Sequence, residues 1–111
     1  MGRAKIILVA YDGSDLGRRA LDAAADLMGY GSTLAVVGVP TSLATDPLAD
    51  ASGYLSRLHV FARYIDGNGH PAETVLDTAA TVGADLIVVG GLNGSFDSVV
   101  RRAPCDVLVV R

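Results

Sequence analysis

Two hydrophobic periods take turns along this chain: short runs of unbroken apolar residues, and longer stretches in which apolar residues return every third or fourth position. Apolar runs within residues 6–10, 34–39, 84–89 (from Leu86) and 106–110 (from Val107) have strand length and lack polar alternation; for those at 6–10 and 84–89 this is the pattern of central strands buried on both faces, whereas the expected strand order leaves the last at an open edge. Between the first two, Leu16, Ala20, Leu21, Ala24, Leu27 and Met28 fall on one face of a helix over residues 14–28, with Ser14 as N-cap and Gly29 or Gly31 as its stop. Asp46-Pro47 predicts a cap followed by proline at the first helical position, and Leu48, Ala51 and Leu55 line that short helix after a loop at its start. Pro71 opens a helix striped by Val75, Leu76, Ala79, Ala80 and Val82 and closed by Gly83. Ser95 is expected to cap a last helix carrying Phe96, Val99, Val100 and Ala103, ended by Pro104.

Residues 58–64 read differently. Leu58, Val60, Ala62 and Tyr64 alternate with His59, Phe61 and Arg63, which predicts an edge strand, followed by a turn at residues 66–69. Strand and helix then alternate over one domain spanning residues 1–111, so the expected fold is α/β, an open five-stranded parallel sheet with helices on both faces. With the polar-alternating third strand at an edge and the apolar first and fourth inside, the economical strand order is 3-2-1-4-5. The winding reverses between strands 1 and 4, and the crevice at such a reversal is where open α/β sheets hold ligands.

Composition narrows the function classes. Half of the 111 residues are hydrophobic and only 5% are aromatic, as in a packed α/β core. A net charge of −3 with scattered basic residues argues against nucleic acid as a partner. No apolar run reaches the length of a membrane span, and the first is too short for a signal-peptide core, so a cytoplasmic protein without a membrane partner is expected. The single cysteine, Cys105, excludes an internal disulfide and a cysteine-based zinc site.

Both inner strands empty into glycine. The first leads into Tyr11-Asp12-Gly13-Ser14, the fourth into Gly90-Gly91-Leu92-Asn93-Gly94-Ser95. Asp12 has two readings, a hydrogen-bond acceptor for a ligand's amine or ribose hydroxyl, or a partner for the N–H groups at the helix start. Gly90, Gly91, Gly94 and Ser95 offer backbone donors and a hydroxyl ahead of a second helix, the more favourable place for phosphate because Asp12 and Asp15 oppose an anion at the first. No catalytic or metal-ligating residue is identified. His59 and His70 lack a neighbour for a metal or nucleophile pair, no G-x-x-x-x-G-K-[ST] loop occurs, and no lysine follows Lys5. That last absence also removes the phosphoacceptor receiver domain, which has the same winding.

The blocks at residues 7–14, 18–21, 84–90 and 103–110 together resemble the universal stress protein family, in the right order over nearly the whole chain. The resemblance implies the same 3-2-1-4-5 sheet, of the adenine nucleotide alpha hydrolase-like type. It also implies a homodimer through the last strand, here Val107, Leu108, Val109 and Val110, and no catalytic residues. ATP-binding members carry G-x-x-G, a spacer, and G-[ST] after strand 4. By that match Asp12 falls at the adenine-side aspartate, Val39 at the strand 2 end that lines the base, Gly90 at the first motif glycine and Gly94-Ser95 at the closing pair. The alternative match takes Gly91-Leu92-Asn93-Gly94 as the G-x-x-G and loses the closing pair, and Gly13 and Ser14 at the first helix start complete the candidate set. Only Gly91, Leu92 and Asn93 separate Gly90 from Gly94, so the phosphate loop is short. The implied function is a non-enzymatic dimeric stress-response domain with a weak pocket for ATP or AMP. The alternative is a ligand-free structural or partner-binding dimerisation module.

Overall fold

A computed structural model describes residues 5–39, 46–67, 70–91 and 94–111. Strand β1 (Ile6–Tyr11) leads to helix α1 (Asp15–Leu27), β2 (Thr33–Gly38), α2 (Pro47–Arg57), β3 (Arg63–Asp66), α3 (Pro71–Val82), β4 (Leu86–Gly90), α4 (Gly94–Arg102) and β5 (Asp106–Val110). All strands are parallel in the order β3-β2-β1-β4-β5. This is the order expected from the apolar runs.

The strand period of two divides the core between the faces. Ile7, Val9 and Tyr11 of β1 pack with Val36 and Val88 against Ala20, Leu21 and Ala24 of α1 and Ala51 and Leu55 of α2. Leu8 and Ala10 pack with Val37, Ile87 and Val89 against Val75 and Leu76 of α3 and Phe96 and Val99 of α4. Ile7, Leu8 and Val9 have no exposed surface, as unbroken apolar runs require.

The local signals act as read at most helix ends. Ser14 caps α1 by accepting the Gly17 N–H at 2.9 Å, Asp46 caps α2 by accepting that of Ala49 at 3.1 Å, and Pro71 begins α3. Gly83 ends α3 in the left-handed conformation at φ 71°. Ala80, placed on the inner stripe of α3, is exposed. α4 starts at Gly94, so Ser95 lies within the helix rather than before it. The loop expected at the start of the α2 segment falls at 41–45, outside the described residues.

The alternating segment at 58–64 is where pattern and structure part. α2 runs to Arg57, and the Val60 N–H reaches the Leu55 carbonyl at 3.0 Å while the His59 N–H reaches that of Ser56 at 3.1 Å. This pair of bonds is a Schellman closure, with His59 at φ 58° where glycine is usual. Without a glycine to mark the stop, the cap reads as alternation. The strand therefore starts at Arg63 and runs through Asp66, which had been placed in the turn. It does form the sheet edge, as expected.

Candidate ligand site at the reversal of strand order

β1 and β4 lie side by side with Ala10 opposite Val89, so their carboxyl ends open at the same level. On the other side of β1, the Val39 N–H donates to the Tyr11 carbonyl at 2.9 Å and holds Val39, 4% exposed, beside the same exit. Asp12, Gly13, Ser14, Val39, Gly90 and Gly91 thus come together on one rim. Gly94 and Ser95 begin α4, the helix that follows β4; the Ser95 side chain is outside the described residues.

Short-range bonds shape this rim. Asp12 Oδ1 accepts the Ser14 N–H at 3.0 Å and the Ser14 hydroxyl at 2.6 Å, and Ser14 Oγ in turn accepts the Gly17 N–H. Of the two roles read for Asp12, the one at the helix start is therefore in place. Gly13, at φ 87°, makes the turn that permits it. At the neighbouring exit, Gly91 sits at φ 81° and its N–H donates to the Val110 carbonyl at 2.7 Å, which fastens the glycine turn to β5. That donor is committed within the sheet.

Gly90 brings β4 against the backbone of α1. A Cβ there would lie 2.4 Å from the carbonyl carbon and oxygen of Leu16, so no side chain fits without moving the helix. Gly17 is a companion that the pattern did not single out: its own Cβ would meet Asp12 Oδ1 at 2.9 Å and the Tyr11 ring at 3.1 Å. The available signal was a glycine on the inner side of an otherwise regular helix, a hint of close backbone approach.

A second arrangement beside the rim also escaped the sequence. The buried Tyr11 hydroxyl donates to Asp50 of α2, Arg18 of α1 binds the same carboxylate at 3.0 Å, and the Arg18 guanidinium lies 4.7 Å from the centre of the Tyr54 ring, whose hydroxyl donates to Asp22. Burial first, and then the bond to Asp50, push the Tyr11 phenol above its ordinary value. This network ties α1 to α2 and holds the last residue of β1 between them. Its partners are 32 and 39 residues apart, beyond any local pattern.

His59 closes α2 and His70 precedes α3, both exposed, and His59 is not on a strand. Cys105 stands just before β5, half-buried, its thiol raised first by burial and then by Asp106 and Asp85. Among the described residues no group of three His, Cys, Asp or Glu is placed to hold a metal ion, and no helix is long and apolar enough to cross a membrane. β5 is an outer strand, with Val107, Val109 and Val110 half-buried and Leu108 exposed.

An open, doubly wound α/β domain with its rim of glycines at the reversal of strand order is the class that fold and site define. No family model matches the chain. A universal stress protein of Thermus aquaticus is 34% identical over 140 aligned positions, covering 96% of this chain and 98% of that protein. A crystal structure of a universal stress protein family member from Burkholderia pseudomallei superposes with a TM-score of 0.71 at 31% identity, covering 96% of this chain and 95% of that one. A universal stress protein crystallised in complex with cAMP gives a TM-score of 0.75 at 25% identity, covering 96% of each chain. The chain belongs to the universal stress protein family. The alignment with the Thermus protein is longer than the 111 residues of this chain, which therefore lacks segments that the relative has.

Proposed function

We propose that this protein is a non-enzymatic, cytoplasmic stress-response domain that dimerises through β5 and weakly holds the base and ribose of an adenine nucleotide, AMP or ATP, at the reversal of strand order. The observation that carries the reading is the meeting of the Asp12–Ser14 turn, Val39 and the Gly90-Gly91 exit on one rim. The family relative bound to cAMP supports the ligand class. Asp12, Gly13, Ser14 and Val39 serve the adenosine side; Gly90, Gly91, Gly94 and Ser95 stand on the phosphate side. With the Gly91 N–H held by Val110 and a short turn to Gly94, the phosphate side has few donors to give. The proposal assigns no catalytic residue and no metal.

Calorimetry with adenosine, AMP and ATP tests this. Similar weak affinities are expected for all three, with binding lost in Asp12→Ala, whose Tm should fall only slightly through loss of the two bonds to Ser14. A steep fall from ATP to AMP would show a working phosphate site instead, and no binding of any of them would favour the ligand-free dimerisation module. For the dimer, the apolar outer strand supports antiparallel pairing of two β5 strands about a two-fold axis. Sedimentation should give a dimer that Val109→Lys dissociates; a monomer at micromolar concentration would overturn that part.

A further inference from the structure

At the amino ends of the strands, opposite the rim described above, a cleft of about 560 Å³ opens between the end of α1, the start of β2 and the segment that joins α2 to β3. That volume is in the range of small-molecule sites. Its apolar wall comes from Met28, Leu34, Val60 and Phe61, and its polar groups include His59 and Arg63. No aspartate or glutamate lines it. Arg63 is exposed on the edge strand, and among the described residues its guanidinium has no ion pair. The same three segments also carry most of the large apolar side chains left in solvent: Phe61 at 91% exposure, with Leu27, Tyr30 and Leu58, whereas only Val100 and Leu108 are so placed elsewhere among the described residues. An apolar wall beside an unpaired cation, with no acid among the lining side chains, is complementary to one chemistry.

We propose that this cleft binds a small amphipathic anion, a free fatty carboxylate in class, with its chain against Met28, Val60 and Phe61 and its acid group on Arg63. The Schellman closure that places His59 in the left-handed conformation turns the chain so that Val60, Phe61 and Arg63 meet the end of α1. The site is independent of the nucleotide reading, being formed by different residues at the other end of the sheet.

The test titrates the full-length, isotope-labelled protein with decanoate, decanol and decyltrimethylammonium below their micelle concentrations, with and without saturating AMP, and follows backbone amide shifts. Decanoate is expected to shift Met28, Thr33 and residues 60–63, and to bind more tightly than decanol and far more tightly than the cation, irrespective of AMP. Arg63→Gln should weaken decanoate about tenfold and leave decanol unchanged, while Phe61→Ser should weaken both. Unchanged amide spectra of the two variants away from the substitution would establish that they fold. Equal binding of the anion and the cation, shifts at Asp12 and Gly90 in place of the cleft, no binding up to the solubility limit, or a cleft covered by a second copy that Phe61→Ser releases would each overturn the proposal.

Discussion

The two ends of this sheet are built on opposite terms. At the carboxyl ends the backbone is drawn in: Gly90 lies against Leu16, Gly91 is fastened to Val110, Asp12 and Ser14 close the start of α1, and Tyr11 is clamped between helices through Asp50 and Arg18. At the amino ends, Phe61, Leu58 and Leu27 stand in solvent around a cleft, and a histidine occupies a left-handed position that glycine would take more easily. One end spends its glycines on close approach; the other leaves apolar surface uncovered. The difference shows that glycine-rich sequence marks tight packing as readily as it marks a ligand loop, and that a helix closure made without glycine can stand beside uncovered apolar surface.

The largest effect should come from filling the tight end. Gly90→Val would push two methyl groups toward the Leu16 backbone, and a destabilisation of roughly 3 kcal/mol is expected, since backbone cannot yield as a side chain does. For a domain of this size that is a fall in Tm of more than about 10 °C. Calorimetric melting checks it, and an unchanged Tm would erase the contrast between the two ends. Gly53, in α2 with open space around its Cβ position, is the control: Gly53→Ala should be neutral or stabilising.

Next in size is the clamp at Tyr11. Removing its hydroxyl in Tyr11→Phe takes one bond from a carboxylate that keeps Arg18, and about 1.5 kcal/mol should be lost in denaturant unfolding. The pH dependence has a defined sign. Because the folded phenol titrates above its ordinary value of 10.0, the fold keeps the proton that the unfolded chain gives up. Its contribution is therefore complete below about pH 10 and is lost as the pH rises toward the folded value. Tyr11→Phe should flatten this alkaline loss of stability, and an identical decline in both proteins would place its origin elsewhere.

The smallest effect belongs to the open end. His59→Gly relieves a left-handed residue at the cost of a more flexible unfolded chain, for a net gain of about 0.5–1 kcal/mol. A loss of stability in chemical denaturation would mean that the histidine side chain makes compensating contacts, and would weaken the view of this end as imperfectly capped.

The sequence by itself determined the elements and their order. Unbroken apolar runs of strand length between glycine and proline stops mark parallel strands, proline and aspartate place the starts of α2 and α3, and right-handed crossovers leave few ways to arrange what results. These signals are local, so they survive without knowledge of the partners. The rim was legible for the same reason, since a strand exit and a turn are adjacent in sequence. What Asp12 and Gly91 bond to was not legible, because each carries a donor or acceptor able to serve a ligand or the chain. The structure shows that the Asp12 carboxylate takes the local role at the helix start, and only tertiary pairing of β4 with β5 brings the Gly91 N–H to Val110. The same limit explains residues 58–64, where alternating apolar residues fit a strand or a helix closure equally well until the Leu55 carbonyl, five residues before Val60, takes its N–H. Tyr11, Arg18, Asp50 and Tyr54 likewise become a network only when two helices meet over one strand end. Periodicity fixes which face of an element is buried; which polar groups then pair is set by distances that exist only after the elements have packed.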